Sequence, residues 1–340
     1  MRLVGPTESR RDFAKPGASR GDILRDFFLA PEAMWFKNLT LYRLPADWNL
    51  SAAELEEKLS QRTLQPCSPL EMLSRGWVAP SHTGRMLHTT NQQHLISLGV
   101  EQKLLPGSII RQETEVRAKV LADSQGFPVG RRQMRDLKMR VTEELRARAL
   151  SRRRATRAWI DPVNGWFVVD SGSAKKAEEV VEALRDLLGS FAVQFVETQK
   201  TPHTSMAAWL TSGDAPGPFS IDQDLELQTA DPNKATVRYV RHVLDGKEIK
   251  AHLAGGKYPT RLGLTWNGRV SFVLTEKLLI KRLEFLEMGK DAPSEGEDIN
   301  KDEQFDIDFT VMAGELAKML ADLVQELGGD SALQVTAAAA

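Results

Sequence analysis

The first strongly patterned stretch, Trp35-Phe36-Lys37-Asn38-Leu39-Thr40-Leu41-Tyr42-Arg43-Leu44, is rich in aromatic and β-favouring residues and predicts a strand. Ser51-Ala52-Ala53-Glu54 reads as a capping box, with Leu50 and Leu55 as its hydrophobic staple, and predicts a helix from Ala52 to Ser60. From Leu64 to Pro106 short apolar pieces are punctuated by Pro66, Pro69, Gly76, Pro80, Gly84 and Gly99, which suits brief strands and loops. Residues 111–157 change character: they are polar and helical in period, with one interruption at Gly126-Phe127-Pro128. Trp159-Ile160-Asp161 and Trp166-Phe167-Val168-Val169 then flank a loop ending in Asn164-Gly165, the clearest hairpin in the chain.

Ser173 is placed to cap a helix whose apolar positions Ala177, Val180, Val181, Leu184 and Leu188 recur at 3–4 spacing until Gly189 ends it. Residues 191–196 read as a strand, and 213–235, with their glycines, prolines and scattered acids, as a loop-rich connection. Val237 to Leu244 and Leu262 to Trp266 look like strands, and Asn267-Gly268 turns the second of these into Val270 to Leu274. Residues 287–304 read as an acidic linker. A long amphipathic helix follows, marked by Phe309, Met312, Leu316, Met319, Leu320, Leu323 and Leu327, and Gly328-Gly329 stops it. No internal repeat is visible. Hairpins mixed with unevenly spaced helices predict an α+β fold, antiparallel sheets with flanking helices. Trp35, Phe36, Trp159, Trp166 and Phe167 are expected in its core rather than on a base-stacking surface.

Composition narrows the class. Of 340 residues, 41% are hydrophobic and 27% charged, an ordinary globular balance. The single cysteine, Cys67, leaves no disulfide framework and no Cys-based zinc cluster, and suits a reducing compartment. No apolar run approaches the ~18 residues that span a bilayer. Residues 1–33 mix six basic and five acidic residues without a sustained period, so the folded protein is expected to begin at Met34 after a disordered extension. Residues 331–340 are expected to fray, and the cytoplasm is the expected location.

Net charge is only −1, but it is segregated. Between Arg131 and Arg157 eleven basic residues face three acidic ones, a net of +8 in 27 residues; between Glu287 and Asp330 the net is −10 in 44. Ten of the eleven bases are arginines, whose guanidinium can grip phosphate in bidentate fashion. The candidate phosphate contacts are Arg131, Arg132, Arg135, Lys138, Arg140, Arg152, Arg153, Arg154 and Arg157, followed by a thinner set, Arg238, Arg241, Lys247 and Lys250. Such a surface gives affinity without sequence readout. Lys175 and Lys176 carry the same charge in a first helical turn. The competing reading is a solvated face laced with ion pairs, or a protein-interaction module without DNA affinity.

Enzyme motifs are mostly missing. Gly255-Gly256-Lys257 lacks the rest of a phosphate loop, and Asp298, Asn300 and Asp302 lack the glycine and final glutamate of a calcium loop. His82, His88 and His94 are six apart, off any common helical face. Asp306 and Asp308 could share a strand face and hold magnesium, which leaves a metal-dependent nuclease as the alternative; at a helix start they would serve the dipole instead. No cofactor or metal is expected.

Four segments carry a family likeness: Met34-Trp35-Phe36-Lys37-Asn38-Leu39; Leu105-Pro106 through Arg111-Gln112; Trp159-Ile160-Asp161 through Asn164-Gly165 and on to Lys175-Lys176-Ala177-Glu178; and Phe305-Asp306 through Gly314-Glu315-Leu316-Ala317 to Gly328-Gly329. In this order they resemble the bacterial recombination-associated RdgC family. The resemblance implies a non-enzymatic protein with an elongated, horseshoe-like protomer closing into a ring-shaped homodimer. It implies binding of duplex and single-stranded DNA with little sequence preference, in the nucleoid, and a restraint on RecA action. This sequence departs from some relatives at Leu150 to Arg154, where they carry an aromatic residue or two, and the leucine and three arginines here favour a purely electrostatic contact.

Overall fold

The computed structural model describes residues 34–45, 47–244, 246–286 and 300–331. The expectations for residues 1–33 and 332–340, and for the acidic stretch before Asn300, lie outside these.

Two antiparallel sheets organise the described residues. The first has the order β2 (Leu73–Val78), β4 (Gln93–Lys103), β5 (Ser151–Asp161), β6 (Trp166–Val169), β1 (Thr40–Arg43) and β7 (Gln194–Phe195), with β3 (His88–Thr90) paired to β4. The second has the order β12 (Ile280–Phe285), β11 (Val270–Thr275), β10 (Lys257–Trp266), β8 (Phe219–Thr229) and β9 (Thr236–Tyr239). One stretch of chain joins them. Leu39 exchanges backbone hydrogen bonds with Ile280 at 2.8 and 3.0 Å, and Leu283 N–H donates to the Lys37 carbonyl, before the same strand continues as β1 against β6.

The helices follow from their caps and apolar stripes. The capping box forms as expected: Ser51 Oγ accepts from Glu54 N–H and the Glu54 carboxylate accepts from Ser51 N–H, opening α1 (Ala52–Gln61). Gly126, Gly189 and Gly213, all left-handed, close α2 (Gly107–Gln125), α4 (Ala174–Leu188) and α5 (Pro202–Ser212). α3 (Arg131–Arg148), α6 (Gly246–Ala254) and α7 (Lys301–Glu326) complete the set.

The first sheet is covered on both faces, which is why β4 is buried from His94 to Glu101. On one face Ile96, Leu98, Ala158, Ile160, Phe167 and Val169 pack under Leu55 and Leu59 of α1 and Val180, Val181 and Leu184 of α4. On the other, Leu95, Trp159, Trp166 and Val168 share a core with the second sheet, α5 and the apolar side of α7. Phe36, Trp159, Trp166 and Phe167 are buried as expected, and Trp35 is half-buried against the Phe285 ring at 4.7 Å. Gly76 is required where it stands: a Cβ there would lie 2.4 Å from the Leu64 backbone, which crosses β2 to bond with Trp77.

Several boundaries differ from the sequence reading. Residues 219–229, expected in a loop-rich connection, form the 11-residue strand β8. Its acids Asp222, Asp224 and Glu226 occupy one face and its apolar residues Leu225 and Leu227 the other, so the acids are strand alternation rather than loop chemistry. The strand expected over Val237 to Leu244 stops at Tyr239, before Arg241 turns to a φ of 51°. The one expected over 191–196 shrinks to Gln194–Phe195, and α7 begins at Lys301, inside the expected linker.

Candidate nucleic-acid interface

α2 and α3 form an antiparallel arm inserted between β4 and β5. Lys103 and Ser151 are cross-strand partners, so the chain leaves the sheet and returns to it at one place. The two helices hold each other with little apolar material: Thr114, Ala118 and Val141 are the buried side chains of the pair. Arg117 of α2 is the polar clasp. It donates to Glu113 at 2.8 Å and to Glu144 of α3 at 2.6 Å, which raises its own affinity for protons and holds the Glu144 carboxyl below its usual range. Glu144 also receives Arg148 at 3.7 Å.

That clasp uses up a nearby acid and leaves the rest of α3 basic. Arg131, Arg132, Arg135, Lys138 and Arg140 are exposed, and none of the five forms an ion pair among the described residues. Arg131, Arg135 and Lys138 recur at 3–4 spacing and so form one stripe along the helix, with Arg132 beside it and Arg140 on the far side. Unpaired, extended arginine and lysine side chains in a row are suited to successive phosphates.

The expectation of helix through Arg157 is corrected by β5, which begins at Ser151. Alternation along this strand splits its arginines between the two faces of the sheet. Arg153 faces Glu101 across the β4–β5 ladder and bonds to it at 2.5 Å; Arg154, on the opposite face, bonds to Glu179 of α4 at 2.5 Å, where Arg75 also approaches at 3.9 Å. Arg157 points inward, reaching the Met34 carbonyl at 3.5 Å and lying beside Asp170. Burial pushes the Asp170 carboxyl up, opposed by its bonds from Asn38 and Lys37 N–H. Arg153 therefore ties β5 to β4, and Arg154 and Arg157 hold the sheet to its neighbours. Arg152 is exposed and stands alone of the four in having no such partner among the described residues.

The thinner basic set lies on and near the polar face of the second sheet. Arg238 of β9 and Arg261 of β10 flank Glu226 at 3.8 and 3.5 Å, and Arg282 bonds to Asp224 at 2.5 Å. Asp224 also accepts from the Arg241 backbone N–H at 3.4 Å. Lys247 and Lys250 are exposed on α6. Arg261 and Arg282 were not among the predicted contacts. The signal for Arg261 was its place in β10, opposite Glu226 of β8; Arg282, at a φ of 51° in β12, reaches Asp224 across the sheet and left no such signal. This face is a lattice of cross-strand pairs and is less basic than α3.

The carboxylates of the nuclease alternative do not converge. Asp306 and Asp308 stand two apart on α7 rather than on a strand, so they point to different sides. Asp306 lies 3.1 Å from His88, and Asp308 accepts from Gln304 at 2.8 Å. Among the described residues no group of three or more His, Cys, Asp or Glu side chains is placed to hold a metal ion. No helix among them is long and apolar enough to cross a membrane.

Comparison with known proteins places this geometry. A family model described as "Putative exonuclease, RdgC" matches residues 34–330. The Recombination-associated protein RdgC of Dechloromonas aromatica is 50% identical over 300 residues, covering 87% of this chain and 98% of the relative. Those of Herminiimonas arsenicoxydans and Burkholderia orbicola are 47% and 46% identical, covering 88% and 90% of this chain and 99% and 100% of the relatives. With a match from Met34 to Asp330 and relatives at half identity over their whole length, the chain belongs to the RdgC family of recombination-associated proteins.

Proposed function

We propose that this protein binds DNA through its phosphates, without reading sequence, and acts in homologous recombination by occupying DNA that RecA would otherwise use. The observation that carries this is the α3 stripe: Arg131, Arg135 and Lys138, with Arg132 beside them, exposed and unpaired among the described residues on an arm that extends from the sheet. Arg152, Arg241 and Lys250 are secondary contacts, with Arg238 on β9 and Lys247 on α6. The protein acts as a homodimer that closes around duplex or single-stranded DNA, in the nucleoid, and does no chemistry on it. The apolar stripe on α2, Ile109, Val116 and Val120, exposed on the side of the arm away from α3, offers a face for contact between protomers.

The test is duplex affinity for random-sequence fragments across a salt series, with the mass in solution measured alongside. Neutralising about five phosphates gives a log–log slope of about −4.5 whatever the sequence. A flat slope, or no binding at physiological salt, removes the reading in favour of a protein-interaction module. Magnesium-dependent loss of the DNA, abolished by Asp306→Ala, restores the nuclease.

A further inference from the structure

α5 buries one face and leaves the other small. Pro202, Met206, Trp209 and Leu210 enter the core, while Thr204, Ala207, Ala208 and Thr211 face outward. With only these small side chains at its middle and His203 at one end, a groove of about 660 Å³ remains between α5, the end of α6 and the start of β10. This falls in the roughly 300–1,000 Å³ range of ligand sites. Ala207, Ala208 and Leu253 line it together with the Tyr258 ring, against which His203 packs edge-on at 5.9 Å.

Among the described residues, Lys257 is the cation that lines this groove, and no carboxylate lines it. Lys257 Nζ donates to His252 Nδ1 at 3.3 Å, and Lys250 is exposed one turn before Leu253 on α6. Glu248 of that helix accepts from the Tyr239 hydroxyl at 2.7 Å and lies 3.8 Å from His252 Nε2. An apolar floor with a cationic rim is complementary to a peptide, not to a nucleic-acid backbone, which has no apolar anchor to bury and needs a row of cations.

We infer that the groove between α5, α6 and β10 docks an acidic segment of a partner protein, its apolar side chains on Ala208 and Leu253 and a carboxylate at Lys257. This goes beyond DNA binding and uses a surface separate from α3, so the same chain could hold DNA and a protein partner at once.

The test uses the full chain and a fluorescein-labelled peptide, a run of aspartates ending in leucine and phenylalanine, read by anisotropy at physiological salt. Saturable binding is expected, weakened about tenfold or more by Ala208→Trp, which fills the groove, and by Lys257→Gln. Both positions lie at the surface, and an unchanged melting curve shows that the variants fold. Replacing the terminal leucine and phenylalanine of the peptide by serine should also abolish binding, whereas R131E/R135E should not. The inference is overturned if the peptide does not bind, if it ignores Ala208→Trp and Lys257→Gln, or if R131E/R135E removes it. It is equally overturned if Ala208→Trp abolishes duplex binding, which would give the groove to nucleic acid.

Discussion

Arg153 Nε meets Glu101 Oε2 at 2.5 Å across the β4–β5 ladder, and the Glu101 side chain is only 5% exposed. Glu101 also accepts from the Cys67 N–H at 3.2 Å. Burial pushes this carboxyl up, but the bonds from Arg153 and Cys67 outweigh it and hold the group below its ordinary range. A strand arginine that looks, in sequence, like one more phosphate contact is committed to a buried partner. Arg154 is committed in the same way, to the half-buried Glu179.

Removing Arg153 should therefore destabilise the protein rather than weaken DNA binding selectively. R153M leaves Glu101 buried without its cation and should cost about 3 kcal/mol in urea unfolding, while E101Q/R153M, with both charges gone, should recover part of that stability. The wild-type pair also has a pH signature. Its carboxyl is depressed in the folded state, so its stability is present above the unfolded value near ~4.3 and is lost as pH falls through the lower folded value. The double variant should lack that acid-side fall.

Charge reversal on α3 should do the opposite. R131E/R135E/K138E touches exposed, unpaired side chains, so stability should stay within about 0.5 kcal/mol of wild type. Duplex affinity should drop, and the salt slope should become shallower by about 0.9 for each phosphate that is no longer neutralised. Filter binding at several salt concentrations distinguishes this from unfolding. An unchanged slope would mean that α3 does not touch DNA.

These two outcomes separate what the sequence could and could not reveal. The elements with local chemistry were legible: the Ser51–Glu54 box, the Asn164-Gly165 and Asn267-Gly268 turns, and the 3–4 apolar spacing of α4 and α7. β5 was not. Ser151 to Arg157 contains no large apolar residue to mark a period, and an arginine run fits spacing of 3.6 as well as 2. Its pairing is set by Glu101 and Glu179, which lie 52 and 25 residues from their arginines. β8 was obscured in the same way, because Asp222, Asp224 and Glu226 resemble loop residues until the fold brings Arg261 to Glu226 and Arg282 to Asp224. The basic surface on α3 was legible as charge. That Arg153, Arg154 and Arg157 do not belong to it followed only from the fold.

The arm also predicts a change in assembly. Ile109, Val116 and Val120 are 47%, 55% and 65% exposed and lie along one stripe of α2, turned away from α3. If protomers meet there, V116K/V120K should halve the mass in light scattering and leave the melting temperature of the fold nearly unchanged. A dimer that persists would move the protomer interface to another face.

His88 provides the last test, through its place at the junction of β3 and α7. Its ring sits edge-on to Phe305 and Phe309, with centroids at 4.8 and 5.2 Å. Asp306 is 3.1 Å from Nε2 but outside hydrogen-bond geometry, so its attraction is electrostatic only. Burial lowers the affinity of His88 for protons, and the attraction of Asp306 offsets this only in part. His94, buried on β4 with Thr89 Oγ1 3.0 Å from its Nδ1, is lowered by burial as well. Both imidazoles take up protons more readily in the unfolded chain, so their contribution is fully present above the unfolded value of ~6.5 and declines as pH falls through it. Thermal stability should therefore fall between about pH 7 and pH 5.5, well above the carboxylate range in which Glu101 acts. His88→Phe keeps an aromatic ring between Phe305 and Phe309 and removes the titrating group. It should flatten part of that slope without lowering the melting temperature at pH 8. A slope unchanged in H88F/H94Q would assign the acid sensitivity to other groups.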